Sequence, residues 1–309
     1  MAADIDLARE KLASLPGFSA DAAASAKITR LAGMTNLVFK VEAGGQNLLF
    51  RIPGTGTEAY INRGVEAVNA KAAAEAGVSP EVIHFGEDGV MLMRFLDDAI
   101  TMSPALFGER SGAVERAARA FRKLHEKAPD FAFRFELFKM IDDYLAVVEK
   151  LRASLPQGYH GVVVEATTVR HALDQHPVAL KPCHCDPLCE NFLDTGERMW
   201  IVDWEYSGMN DPMWDLGDLS VEAGFDDAQD RRLIDTYFGE NASAFDFGRM
   251  VIYKAMCDLL WTLWGLIQHA NNNPAEDFWA YSVNRFERCK KLIRSPEFAT
   301  HLDAVRRRR

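Results

Sequence analysis

Residues 182–191, PCHCDPLCEN, place three cysteines, a histidine and two acids within ten positions. A structural zinc site needs four ligands, usually as two separated pairs, and Cys185 with Cys189 offers one pair only. Cys257 and Cys289 stand apart on helical segments, and adjacent Cys183, His184 and Cys185 do not easily converge on one ion. A Cys–His nucleophile fares no better, because His184 and Cys185 as chain neighbours point away from one another. With the cysteines set aside, the pattern is His184-x-Asp186-x-x-x-x-Asn191, and Asp203 follows seventeen residues after Asp186. A hydroxyl attacking a γ-phosphate needs a carboxylate to take its proton, which suits Asp186. An amide oxygen a turn away, Asn191, and a second carboxylate, Asp203, suit a Mg²⁺ ion held against the phosphates of ATP. His-x-Asp and Asp-Trp-Glu also occur as unrelated turn residues, so the weight lies in their joint spacing.

Base, amide, then aspartate is the order of the protein-kinase catalytic loop. Such a loop needs a β-rich lobe before it to hold nucleotide. KITRLAG, LVFKVEAG and QNLLFRIPG read as three strands after a short opening helix, with Gly44-Gly45 as the hairpin turn. A helix is expected from about Asn62 to Ala76, then a strand pair in VIHFGEDGVMLMRFL turning at Asp88-Gly89. Beyond Leu96 the apolar period becomes helical, interrupted by one strand-like island, RMWIVDWEY. The expected fold is α+β and protein-kinase-like with two lobes, a small β-rich N-lobe over 1–95 and a larger, mostly helical C-lobe over 96–309.

On the nucleotide side, LAGMTNLVF lies where a loop would cover phosphates. It has only Gly33, and Asn36 either reaches a phosphate or caps the turn. Arg51 occupies the strand position where protein kinases carry lysine, and Glu66 on the following helix is its natural ionic partner. The backbone from Met93 to Phe95 is expected to bind the nucleobase.

A chain of 309 residues, 48% of them hydrophobic, can bury a large core. Its net charge of −10 speaks against a nucleic-acid partner and suits a small cation. The stretch MVIYKAMCDLLWTLWGLIQ is broken by Lys254 and Asp258 and makes a poor membrane span. The acidic start, MAADIDLAREKLASLPGF, lacks the features of a signal peptide, and five cysteines fit a reducing compartment, so the expected location is the cytoplasm. The terminal run Arg306 to Arg309 reads as a frayed, solvated end.

GMTNLVFKV, LLFRIPGTGTEAYINRGVE, HCDPLCENFL, WIVDWEYSGMNDPMWDLGDLSVE, WTLWGLIQ and FWAYSVNRF follow one another in an order that resembles the choline/ethanolamine kinase family, within the aminoglycoside phosphotransferase-like kinases. The resemblance implies that Asp186 is the base, that Asn191 and Asp203 bind Mg²⁺, and that Asp215 braces the loop. The cysteines flanking Asp186 depart from the usual family residues but leave these polar positions intact. It further implies an acceptor pocket of Glu205, Tyr206, Glu222, Trp261, Trp264 and Tyr281. A quaternary ammonium has no N–H to donate, so aromatic faces and carboxylates are what can hold it. Lys254, Asp258, Trp261, Gly265 and Gln268 fall on one helical stripe, which places Trp261 with polar residues and suggests that it lines a cleft. The implied reaction is ATP- and Mg²⁺-dependent phosphorylation of choline, a small amino alcohol, with a homodimer left open. Ethanolamine, another amino alcohol or an aminoglycoside as acceptor, or a non-catalytic binding protein, are the rival readings.

Overall fold

The computed structural model describes residues 2–31, 33, 36–54 and 61–308. After helices α1 (Ala2–Ala13) and α2 (Ala20–Ser25) come strands β1 (Lys27–Leu31), β2 (Leu37–Ala43), β3 (Gln46–Ile52), β4 (Val82–Phe85) and β5 (Met91–Arg94). They form an antiparallel sheet in the order β1-β2-β3-β5-β4. The β2–β3 turn is closed by Gly44 and Gly45 at φ of +56° and +74°, a backbone shape that L side chains rarely take. Leu48, Phe50 and Ile52 alternate into a small core with Phe39, Val41 and Leu12. That alternation sends Arg51 to the opposite face of β3. Helix α3 (Arg63–Glu75), capped by Asn62, separates β3 from β4 and buries Ala70, Ala72 and Ala73 in the larger core.

The larger part holds α4 (Pro104–Glu109), α5 (Ala113–Lys127), α6 (Leu137–Lys150), α7 (Tyr159–Gln175), α8 (Pro212–Ala223), α9 (Asp227–Phe238), α10 (Ala244–Ala270), α11 (Phe278–Ile293) and α12 (Pro296–Arg307). Where one strand-like island was expected, five short strands occur: β6 (Ile100–Thr101), β7 (Lys181–Cys183), β8 (Phe192–Asp194), β9 (Met199–Ile201) and β10 (Gly208–Asn210). They pair as β6-β8-β9 and β7-β10 and pin both ends of the 184–191 and 202–207 segments. Runs of two or three residues are too short to show an alternating pattern.

Helix α10 runs through the larger core against α8, α11 and α12. Among the described residues it alone is long and apolar enough to cross a membrane, yet 83% of that stretch is buried within the protein. Of the tail expected to be frayed and solvated, Arg306 to Arg308 are exposed, but α12 continues to Arg307, whose guanidinium pairs with Asp303 one turn earlier at 2.8 Å, and Arg309 lies outside the described residues.

Candidate active site

The loop after β7 is held from below by one carboxylate. Asp215, fully buried in the first turn of α8, accepts the His184 N–H at 2.7 Å and the Cys185 N–H at 2.8 Å. His125 Nε2 lies 3.0 Å from the same carboxylate, and Trp214 Nε1 donates to the Cys185 carbonyl at 3.0 Å. These bonds fix Cys185 at φ +67°, a left-handed conformation uncommon for a residue with a side chain. His184 Nε2 sits 2.8 Å from the Val202 carbonyl, so that nitrogen carries the proton and Nδ1 faces the Asp186 N–H at 3.4 Å. Burial lowers the His184 pKa, which keeps the ring neutral in this role. The loop is thereby locked to the segment that carries Asp203.

Asp186 projects from this loop half-buried, and its carboxyl is pushed up to about 8 by burial, then by Glu222 and Asp203. Asn191 donates its amide to the Asp186 carbonyl at 3.0 Å, which leaves the amide oxygen for another partner. Asp203 stands at φ +70° with a buried Oδ1 that has no hydrogen-bond partner. Burial and neighbouring Glu205 raise its carboxyl to about 7. A buried acceptor left unsatisfied costs roughly 1–3 kcal/mol, and a hard divalent cation is what an all-oxygen donor set of this kind fits. Asn191 and Asp203 are therefore suited to hold Mg²⁺.

Facing them from the sheet, Arg51 is buried and pairs with Glu66 at 2.5 Å, as the sequence order suggested. Its Nη1 is also 3.7 Å from Asp203 Oδ1. Arg63, not foreseen, shares Glu66 at 2.6 Å and reaches Glu205 at 2.7 Å. Asn36 completes the group, accepting from the Gly54 N–H at 3.2 Å and donating to Glu205 at 2.9 Å. Glu205 is thus a correction: expected in the acceptor pocket, it lies with Arg51, Arg63 and Asn36, where two buried arginines need a counter-charge. Residues 32, 34 and 35 of the loop before Asn36, and 55–60 of the GTGTEAY stretch, lie outside the described residues. The hinge needs a second correction. Met93 is mid-strand between β3 and β4, and the Arg94 and Phe95 N–H groups are taken by Glu81 and Asn47 carbonyls at 2.9 and 3.0 Å. The first main-chain N–H beyond these is that of Leu96.

The remaining aromatic positions come together. Ring centroids of Tyr206 and Trp261 are 5.5 Å apart, Trp261 and Trp264 6.5 Å, and Trp264 and Tyr281 5.9 Å. The successive interplanar angles of 78°, 90° and 65° make walls that meet at corners. Glu222 lies beside them, held by Arg285 at 2.5 Å, and Arg285 in turn stacks 4.6 Å over Tyr281. A cavity of about 300 Å³ opens at Glu222, Tyr281 and Arg285, and of the four rings Tyr281 is the one that lines it. A larger depression of about 500 Å³, lined by Pro80, Arg94 and Trp200 among others, touches none of the catalytic or aromatic positions. The stripe carrying Trp261 is interior: Lys254 pairs with Asp230, and Asp258 with Arg285 and Arg288, while Trp261 itself is only 4% exposed. Trp264 is the more open of the two, and its buried Nε1 has no hydrogen-bond partner.

Gly265 makes this arrangement sterically possible. A Cβ there would lie 2.6 Å from Tyr281 Cδ1 and closer still to Ser282 Oγ. Gly265→Ala is expected to cost about 1–3 kcal/mol by overpacking and to raise the acceptor KM as Tyr281 is pushed from Trp264. Thermal denaturation and steady-state kinetics check both effects.

The cysteines form no site of their own among the described residues. All five are free and buried, and desolvation pushes the Cys183, Cys185, Cys189, Cys257 and Cys289 thiols up, against thiolate chemistry. Sequence reasoning missed Arg63, Arg285 and Asp218; the last accepts Trp261 Nε1 at 3.4 Å. Asp215, Asp218 and Glu222, spaced three and four apart on an otherwise apolar helix, were the available signal.

A sheet arginine paired with a helix glutamate, set over a braced His-x-Asp loop and a metal-competent aspartate, defines a protein-kinase-like phosphotransferase. The family described as choline/ethanolamine kinase matches residues 28–238, so the chain belongs to that family, whose members are phosphotransferases acting on an alcohol group. It is 58% identical to a choline/ethanolamine kinase family protein from Mesorhizobium loti, with a TM-score of 0.90 over 98% of this chain and 99% of that one. It is also similar to the choline kinase LicA of Streptococcus pneumoniae, 26% identical with a TM-score of 0.76, covering 93% and 98% of the two chains. A structure of LicA in complex with AMP is 25% identical, with a TM-score of 0.73 over 93% and 97%.

Proposed function

We propose that this enzyme transfers the γ-phosphate of ATP to the hydroxyl of choline, giving phosphocholine and ADP. The observation that carries the choline reading is the cornered set of rings Tyr206, Trp261, Trp264 and Tyr281 beside Glu222. Each cation–π contact contributes about 0.5–2 kcal/mol, and likeness to a LicA choline kinase supports the same acceptor. AMP in the related LicA structure supports an adenine nucleotide. In this reading it sits between the lobes 1–95 and 96–309 with its base at the backbone next to Leu96.

Asp186 orients the acceptor hydroxyl and takes its proton. Arg51, steadied by Glu66, neutralises phosphate charge from the sheet side. Asn191 and Asp203 hold Mg²⁺, which when bound offsets the charge of the phosphates and positions them. A cytoplasmic location accords with five free thiols.

Ethanolamine is the competing acceptor, and its N–H groups would favour carboxylates over rings. Trp264→Leu removes one ring face and is expected to raise the choline KM about tenfold, within the range of a single cation–π interaction, and the ethanolamine KM by much less. Equal losses for the two amines, measured by ADP release, would argue against the ring assignment.

A further inference from the structure

Asp218 is the least conspicuous acid near the acceptor pocket and the most deeply placed. It sits on α8 one turn before Glu222, only 1% exposed. Its two oxygens have separate partners: Oδ1 meets Cys257 Sγ at 2.6 Å, and Oδ2 faces Trp261 Nε1 at 3.4 Å. Both partners come from α10, the helix that carries the tryptophan pair.

We propose that Asp218 is a specificity-determining residue of the acceptor site, a buried charge behind the Trp261 ring that selects a permanent cation over a neutral guest of the same shape. The proposal rests on the choline reading above and deepens it. An indole whose N–H donates to a carboxylate gains electron density over its face, and that face is what attracts a cation. The carboxylate also acts directly, because it and the ring are both buried and 3.4 Å apart, where charge is weakly screened.

The arrangement offers charge while withholding hydrogen-bond acceptors. Trp261 and Cys257 already engage both Asp218 oxygens, and one oxygen of Glu222 is engaged by Arg285. An ammonium with N–H donors gains the field but must leave donors poorly matched, whereas a trimethylammonium loses nothing of this kind. Burial first, then Glu222 and Asp186, raise the Asp218 carboxyl well above the ordinary carboxylate range, which favours its neutral form when no cation is bound. A cation over Trp261 works in the opposite direction and favours the ionised carboxylate; a neutral guest exerts no such pull.

The test compares choline with its uncharged isostere 3,3-dimethylbutan-1-ol in full-length wild-type enzyme and Asp218→Asn. The isostere is measured as a competitive inhibitor against choline. The expected result is a choline KM raised about tenfold with kcat within about threefold, and an unchanged inhibition constant for the isostere. Trp261→Phe, which keeps a ring but loses the N–H, is expected to weaken choline several-fold relative to the isostere, and supplies the same comparison should Asp218→Asn fold poorly. In the Trp261→Phe background the further effect of Asp218→Asn should shrink to about threefold or less. Parallel shifts for charged and neutral guests in both variants, or an unaltered choline KM in folded Asp218→Asn enzyme, would overturn the role of Asp218 alone. A wild-type enzyme that leaves choline unphosphorylated would remove the acceptor reading and this proposal together.

Discussion

Asp186→Asn is expected to lower kcat about 10³-fold, within the range that a positioned base contributes, while ATP affinity changes less than about twofold. The asparagine keeps the shape of the side chain, and the bonds that hold the loop run through the backbone of residues 184–186 and through Asp215, so the loop survives the change. Arg51 on the sheet and its partner Glu66 on α3, proposed to serve the phosphates, are untouched. Calorimetric titration with ATP separates binding from chemistry. In the wild-type enzyme kcat/KM for the acceptor should rise with pH through the range near 8, because the free base must be ionised to act and its carboxyl is pushed up to about 8. A cation in the acceptor pocket and a metal at Asp203 both favour the ionised form, so the corresponding rise in kcat lies at lower pH. A variant turning over at near-wild-type rates would remove Asp186 from the chemistry.

The second large effect is on the loop itself. Asp215→Ala orphans the His184 and Cys185 N–H groups and removes the Nε2 partner of His125, whose Nδ1 keeps the Tyr237 hydroxyl, all of them buried. At roughly 1–3 kcal/mol for each of the three unsatisfied buried groups, a loss of about 3–9 kcal/mol is expected, much of an ordinary domain's stability. Cys185 would also lose the bonds that keep it at positive φ, so any folded fraction should be inactive. Urea denaturation followed by tryptophan fluorescence measures the first effect and the ADP assay the second. Asp215→Asn, which retains one acceptor oxygen, should fall between. A melting midpoint close to wild type in Asp215→Ala would mean that the loop is held by something else.

Much of this architecture is legible in the chain itself. Gly44-Gly45 marks the hairpin, and the alternation of Leu48, Phe50 and Ile52 places Arg51 on the cleft face. His184, Asp186, Asn191 and Asp203 mark the loop by spacing alone, and the cysteines prove to be buried thiols. What could not be read depends on distant partners. Glu205 leaves the expected acceptor group because Asn36, Arg51 and Arg63, all more than 140 positions away, converge on it. The polar stripe of α10 suggests an open cleft, yet Asp230, Arg285 and Arg288 neutralise it inside the protein. Asp218 shares the stripe of α8 that carries Asp215 and Glu222, but the helix is buried nearly all round, so spacing alone does not tell which neighbour each acid meets. At the expected hinge, only the folded structure reveals that the Arg94 and Phe95 donors are already engaged.

The central claim is tested most directly by incubating the enzyme with ATP, Mg²⁺ and an equimolar mixture of choline and ethanolamine, and following the products by ³¹P NMR. Phosphocholine as the dominant product, absent from an Asp186→Asn control, is the predicted result. Phosphoethanolamine in excess, or ATP consumed with neither phosphoester formed, would contradict it.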